Sequence, residues 1–332
     1  MPPSAKPEPT LYLSRDEALV SGRLHRDPGL IRIRRGVYAE EAGWRELAPW
    51  NRYRARVRAV SMTWKDPVFC LESAAVLLGL PIFGEPRDIH LLDVGGKSRR
   101  YGDIVVHGST EALELTTRDG FVTTSVVDTT LELCRALPPA FALATADAAH
   151  RLHAPQSVDL SALGRERPNR RGRRQLDWVQ ERATPDAESP GESVSRAVIE
   201  WLGFDPPELQ VSFRHEDVED RTDFFWRSRR VIGESDGYGK YDASDAEGSK
   251  AVFLAEKVRE DRLRRHVNGF ARWDWSDAMR ATPLGEKLSA AGVSQTRPAQ
   301  KGLLATLRHN PRSIKPKAKT AGGAPPAEGS GT

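Results

Sequence analysis

Cysteine is scarce in this chain of 332 residues: Cys70 and Cys134 are the two present. They lie far apart in apolar segments, which speaks against a disulfide framework and against a thiolate metal centre. Long hydrophobic runs are missing as well. No stretch approaches the roughly 18 apolar residues of a membrane span, and the opening MPPSAKPEPT lacks the apolar core of a signal peptide. A soluble, cytoplasmic protein without membrane contact is expected. Charge of one sign is also in short supply, 50 Lys and Arg against 46 Asp and Glu for +4 overall. What the chain has instead is local clustering of arginine: Arg32, Arg34 and Arg35; Arg52, Arg54, Arg56 and Arg58; Arg167, Arg170, Arg171, Arg173 and Arg174. Such clusters suit a polyanionic partner, and they equally suit solvated helix faces.

With 39% hydrophobic residues the chain can bury a core, and its length suits two or three domains. Residues 1–10 and 286–332 are expected to be disordered, the second a basic tail ending RSIKPKAKTAGGAPPAEGSGT, too poor in apolar residues to offset its ordering entropy. In residues 11–43, Ser14-Arg15-Asp16-Glu17 fits a capping box opening a short helix. LIRIRRGVY then alternates apolar residues with arginine as a strand pair bent at Gly36, and together these suggest a short winged helix. Residues 44–164 predict a mixed α+β unit. Its elements are one helix from Trp44 to about Trp64, a buried helix CLESAAVLLGL ending at Gly79, strands IHLLD, DIVVHG and EALELTT, and helices over about 125–137 and 139–152. Its histidines, His90, His107, His150 and His153, are scattered over different elements and suggest no metal site. In residues 165–285, two helices, three strands, a long charged helix and a last strand GFARWDW predict a mixed sheet flanked by helices. The fold class is α/β in the broad sense, α+β overall.

The stretch TDFFWRSRRVIGESDGYGKYD, Thr222 to Asp242, sets acids among apolar residues, where an unpaired charge is costly. A turn at Arg227–Arg230 places Trp226 opposite Val231, Phe225 opposite Ile232 and Asp223 opposite Glu234, with Cβ atoms about 4.5–5.5 Å apart. Asp236 follows on the same face, about 7 Å along. Opposed carboxylates make sense with a cation between them, and hard oxygen ligands on adjacent strands suit Mg²⁺ or Mn²⁺. Such an ion activates water and steadies a phosphoryl transition state. Phe224, Trp226 and Val231 fill the other face, which weakens the alternative of acids on the wet face of an edge hairpin. Lys240, on the Gly-rich bend, is either an ammonium for the water or the phosphate or an ordinary surface lysine. Glu192, at the third position of a helix opened by Ser189-Pro190, either closes a capping box or is a further acid facing the hairpin.

Glu192, Asp223 and Glu234-Ser235-Asp236-Gly237 with Lys240 together resemble the PD-(D/E)xK endonuclease-like superfamily over about residues 169–279. The nearest look is to its bacterial branch related to very-short-patch repair endonucleases. The resemblance implies a restriction-endonuclease-like core in which Asp223, Glu234 and Glu192 serve the metal, Asp236 and Lys240 complete the catalytic set, and Gln210 and Arg262 support it. That superfamily usually carries lysine two residues after the glutamate; this chain has Asp236 there, so Lys240 would substitute from the next bend. The N-terminal half is similar to the AbiEi-type antitoxin family of bacterial toxin–antitoxin systems, through SRDEALVSG, LIRIRRGVYA, CLESAAVLLGLP and DGFVTTSVVDTTLELCRAL. This similarity implies a DNA-binding winged helix whose Arg32, Arg34 and Arg35 grip phosphate, and a cognate toxin protein as a partner. Two functions are therefore expected: a metal-dependent DNA endonuclease-like protein, or a non-catalytic antitoxin-like regulator binding DNA or a toxin.

Overall fold

The computed structural model describes residues 9–14, 24–111, 113–153, 159–236 and 246–314. Near the N-terminus, β1 (Leu11–Leu13), β2 (Leu30–Arg34) and β3 (Val37–Glu40) form an antiparallel sheet of order β1-β3-β2. The expected strand pair forms and turns at Gly36, whose φ of 80° is open to glycine at no steric cost. Most of the expected helix starting at Ser14 lies outside the described residues. The single helix expected from Trp44 to Trp64 is two helices, α1 (Glu41–Glu46) and α2 (Pro49–Ser61). Pro49 is the reason: it disfavours the helical region for the residue before it, Ala48 is extended at ψ 153°, and proline itself fits the first turn of α2.

The next unit contains β4 (Val68–Phe69), α3 (Leu71–Leu78), β5 (Ile89–Val94), β6 (Arg99–Tyr101), β7 (Ile104–Ser109), β8 (Leu115–Arg118) and β9 (Phe121–Thr124). Its sheet runs β6-β7-β5-β4-β9-β8, parallel at β5–β7 and β4–β9 and antiparallel elsewhere. His90 and His107, expected to be scattered, are brought together by the β5–β7 pairing, with His90 Nδ1 and His107 Nε2 2.9 Å apart. Arg312 Nη2 lies 3.1 Å from His90 Nε2. A guanidinium can only donate, so His90 carries its proton on Nδ1 and donates it to His107. Burial pushes the His90 imidazole down to about 4, which keeps it neutral at ordinary pH.

The helices α4 (Val126–Ala136) and α5 (Pro139–His153) form as expected, α6 (Leu160–Glu166) and α7 (Arg173–Gln180) follow, and α8 (Pro190–Trp201) completes the series. The short α6 had no periodic signal. Its start is set by the Asp159 carboxylate, which accepts from Ala162 N at 2.8 Å. The chain then forms a second mixed sheet of β10 (Glu208–His215), β11 (Val218–Trp226), β12 (Val231–Asp236) and β13 (Gly269–Asp274), in that order. β12–β13 is the parallel pair, joined through α9 (Ala246–Arg264). On one face, Phe224, Trp226, Val231 and Trp273 belong to the same buried core as Leu131 and Phe141 of α4 and α5 and Val198 and Trp201 of α8. On the other, Phe225 and Ile232 pack with Leu263 of α9. The class is the expected α+β, with mixed sheets flanked by helices. The boundary drawn between residues 164 and 165, however, does not divide two cores, since one apolar cluster continues across it.

The expected disorder from residue 286 is corrected as far as residue 314. After α10 (Trp275–Arg280), the helices α11 (Thr282–Ala290) and α12 (Lys301–Ala305) carry the chain on, and Leu288, Val293 and Leu307 are buried. Backbone bonds hold the segment between them: Thr296 N and Arg297 N donate to Gly203 O, and Gln300 N donates to Trp201 O. Gly203, at φ 87°, is needed here, since a Cβ on it would lie 1.9 Å from the Arg297 carbonyl oxygen. The chain then crosses to the other unit, where Ile314 N donates to Glu85 O at 2.8 Å. There Arg312 pairs through both Nε and Nη2 with Glu72, which is 3% exposed. The composition of the Pro/Gly/Lys-rich end, spread over residues 286–332, concealed these sparse apolar anchors. Among the described residues no helix is long and apolar enough to cross a membrane.

Arg312→Ala would leave Glu72 buried without its guanidinium. The expected outcome is a loss of about 3–5 kcal/mol of stability, measured by urea unfolding; a change under about 0.5 kcal/mol would show that the strap does not hold the two units.

Candidate active site

The hairpin turns at Arg227–Arg230 as expected, and the ladder between β11 and β12 pairs Trp226 with Val231, Phe225 with Ile232 and Phe224 with Gly233. It stops one pair short of Asp223 and Glu234. At that point a side chain takes over, and the Asp223 carboxylate accepts from the Ser235 amide at 2.8 Å. On its other flank the ladder to β10 also skips this level, passing from Leu209–Phe224 to Val211–Thr222. The residue skipped is Gln210, with φ 52°, a conformation that costs a non-glycine residue on the order of 1–2 kcal/mol. Side chains two apart on a regular strand share a face. Here Leu209 packs on the α8 side and Val211 with Phe225 and Ile232 on the α9 side. The kink frees the Gln210 amide to donate to Glu192 Oε2 at 2.9 Å. Strained backbone of this kind gathers at functional sites.

Ser189 caps the helix, but Glu192 does not close the expected box, since its carboxylate accepts from the Glu188 N–H rather than from that of Ser189. The Glu192 backbone N–H donates to the Ser189 side chain at 3.1 Å, as a helix cap requires, while its carboxylate accepts from Glu188 N at 2.8 Å and from Gln210. The residue is 5% exposed and senses the charge of Asp223. Burial, with Asp223 added to it, pushes the Glu192 carboxyl up to about 7. Glu234, its side chain 13% exposed, is held well above the usual carboxylate range by the same two causes, against a partial offset from Arg259. The hairpin does not lie at an edge, since β11 and β12 are the two inner strands of the sheet.

Other expected members are placed differently. Asp236 is not a spare third acid, because Arg272 on the neighbouring parallel strand grips it with Nε at 2.8 Å and Nη2 at 2.6 Å. The same guanidinium also reaches Glu256 and Glu260 of α9. Arg262 does not support the site directly; it forms a two-pronged pair with Asp220 at 2.6 and 2.8 Å. The arginine at the site is Arg259, one turn earlier on α9, with Nη2 2.9 Å from Glu234 Oε1. Both arginines lie one turn apart on the same helix, and spacing alone does not tell which of them reaches the acids. Lys240 lies outside the described residues. Arg32, Arg34 and Arg35 sit on β2 and its turn, in a different sheet from the acids. Arg34 has its Nε and Nη1 buried without a hydrogen-bond partner.

The expected convergence of three acids on one ion is corrected in one respect. Among the described residues no three His, Cys, Asp or Glu side chains gather closely enough to hold a metal ion, since Glu192 is drawn toward Gln210 and Asp236 toward Arg272. A hydrated Mg²⁺ or Mn²⁺ needs one or two carboxylates, with water filling its other positions. Asp223 and Glu234 fit that requirement: both offer hard oxygens from adjacent strands at the level where the β11–β12 ladder stops.

Fold and site together define an α+β protein with helix-flanked mixed sheets and half-buried carboxylates on the inner strands of one of them, beside the buried Glu192 of α8. No family model matches the chain. Two curated proteins of Mycobacterium tuberculosis, the uncharacterized proteins MT2308 and Rv2248 from two strains, are each 30% identical to it over 238 residues. The match covers 71% of this chain and 82% of each relative. The chain belongs to the family of these mycobacterial proteins.

The raised carboxyl of Glu192 fixes the sign of a pH effect. The folded state binds its proton more tightly than the unfolded state does, so ionisation costs stability, fully above about pH 7 and not at all below the ordinary carboxylate range. Glu192→Gln should therefore be more stable than wild type at pH 8, by about 1–3 kcal/mol, and the gain should shrink toward pH 5. Urea unfolding at both pH values tests this; equal stability at pH 8 would contradict the raised Glu192 carboxyl that burial and Asp223 produce.

Proposed function

We propose that the protein is a divalent-metal-dependent phosphodiesterase of the endonuclease kind, acting on DNA. The observation that supports it most is the placement of the half-buried Asp223 and Glu234 at the point where the inner-strand ladder stops, beside a Glu192 carboxyl that its own burial, and then the charge of Asp223, push up to about 7. Asp223 and Glu234 would hold Mg²⁺ or Mn²⁺. When bound, such an ion supplies a water of lowered pKa and positive charge for the phosphoryl oxygens. Glu192, with its carboxyl near neutrality, can take up or release a proton beside a reacting phosphate. Gln210 fixes the direction in which that carboxyl points. The exposed Arg32 and Arg35 would add sequence-independent grip on the DNA backbone.

A second reading, a non-catalytic DNA-binding regulator of the antitoxin kind, is favoured by the pairing of Asp236 with Arg272, which withdraws one acid from any chemistry. On that reading Arg32, Arg34 and Arg35 matter and the buried acids serve the fold.

Asp223→Ala and Glu234→Ala should each abolish Mg²⁺- or Mn²⁺-dependent nicking of supercoiled plasmid, and undiminished nicking in both would refute the endonuclease. For the regulator, replacing Arg32, Arg34 and Arg35 together by alanine should flatten the plot of log affinity against log salt by about 0.9 for each phosphate no longer neutralised. An unchanged slope would remove the three-stranded sheet from the DNA interface.

A further inference from the structure

Three arginines surround the acidic end of the sheet, and they differ in how firmly they are held. Arg272 is shared among Asp236, Glu256 and Glu260. Arg262 is locked in a two-pronged pair on Asp220, which is 5% exposed. Arg259 is placed otherwise. It spans both oxygens of Glu234, Nη2 at 2.9 Å from Oε1 and Nη1 at 3.5 Å from Oε2, and Nη2 also donates to the Arg221 carbonyl oxygen. With its side chain 28% exposed and that of Glu234 13% exposed, the guanidinium covers the acid from the solvent side.

The oxygens covered by Arg259 are those a divalent ion would use, and two cations cannot share them without strong repulsion at such range. Arg259 therefore has to leave Glu234 when the ion arrives. A departing guanidinium needs an anion to replace the one it loses, and a phosphodiester is a two-oxygen acceptor that matches its planar fork. We infer that Arg259 is a latch on Glu234 that is released by the phosphate backbone of the substrate, so that metal ion and DNA bind this site cooperatively. The inference rests on the endonuclease reading and adds to it a regulation: without nucleic acid, the site resists metal. Linkage makes the effect reciprocal, the metal raising affinity for DNA by the same factor.

Calorimetric titration of Mn²⁺ into the whole chain, with and without a short phosphorothioate DNA duplex that resists cleavage, tests this. In wild type the duplex should tighten Mn²⁺ binding on the order of tenfold. Arg259→Gln should bind Mn²⁺ more tightly than wild type in the absence of DNA, and the duplex should no longer improve it. Arg259→Lys keeps the charge without the fork and serves as the second variant should the glutamine chain fold poorly; it should lose most of the coupling. If Mn²⁺ binds wild type but Arg259→Gln shows the same affinity and the same gain from DNA, the latch is overturned while the metal site stands. If, with the duplex present, wild type binds Mn²⁺ no better than Asp223→Ala does, the metal site itself falls, and the latch with it.

Discussion

Between β11 and β12 the backbone ladder ends at Phe224–Gly233, and the next hydrogen bond across the gap is made by a carboxylate, that of Asp223, to the Ser235 amide. The surrounding features depend on this substitution. Burial of each carboxyl, with the charge of Asp223 added to it, raises the proton affinity of both Glu192 and Glu234. The left-handed kink at Gln210 occurs at the same level of the sheet. It costs backbone energy and in return turns an amide toward Glu192. Stability is spent here on an arrangement that apolar residues would satisfy more cheaply, which is the usual sign of a site under functional constraint.

The remaining charges on that end of the sheet are graded. Arg272 and Arg262 sit in pairings that fasten α9 to the strands, while Arg259 pairs with Glu234. Helix α9 therefore has two roles along one face: Leu263 secures it to Phe225 and Ile232, and Arg259, about one turn away, reaches the acids.

Much of the fold was legible in the sequence because it rests on local rules. The alternation around Phe224 to Gly233 gave the hairpin register, Gly36 gave the turn, and Ser189-Pro190 gave the start of α8. The acids could be named because charge inside an apolar hairpin is conspicuous. What escaped was non-local. The pairing of Arg272 with Asp236 depends on a parallel register set by a crossover of more than thirty residues, and the meeting of His90 with His107 depends on the β5–β7 pairing. Arg262 and Arg259 lie on one helix, and side-chain reach, which spacing does not reveal, decides which of them meets the acids. The ordered stretch to residue 314 was hidden because a few anchors, Leu288, Val293, Leu307 and Arg312, lie among residues that usually mark loose chain.

The bond between Glu72 and Arg312 joins positions 240 residues apart. During synthesis at about 5–20 residues per second, the carboxylate is made roughly 12–48 s before its counter-ion. Until then the α3 helix that carries Glu72 lacks the guanidinium that neutralises it in the finished protein, so the complete ion pair is among the last contacts the nascent chain can make.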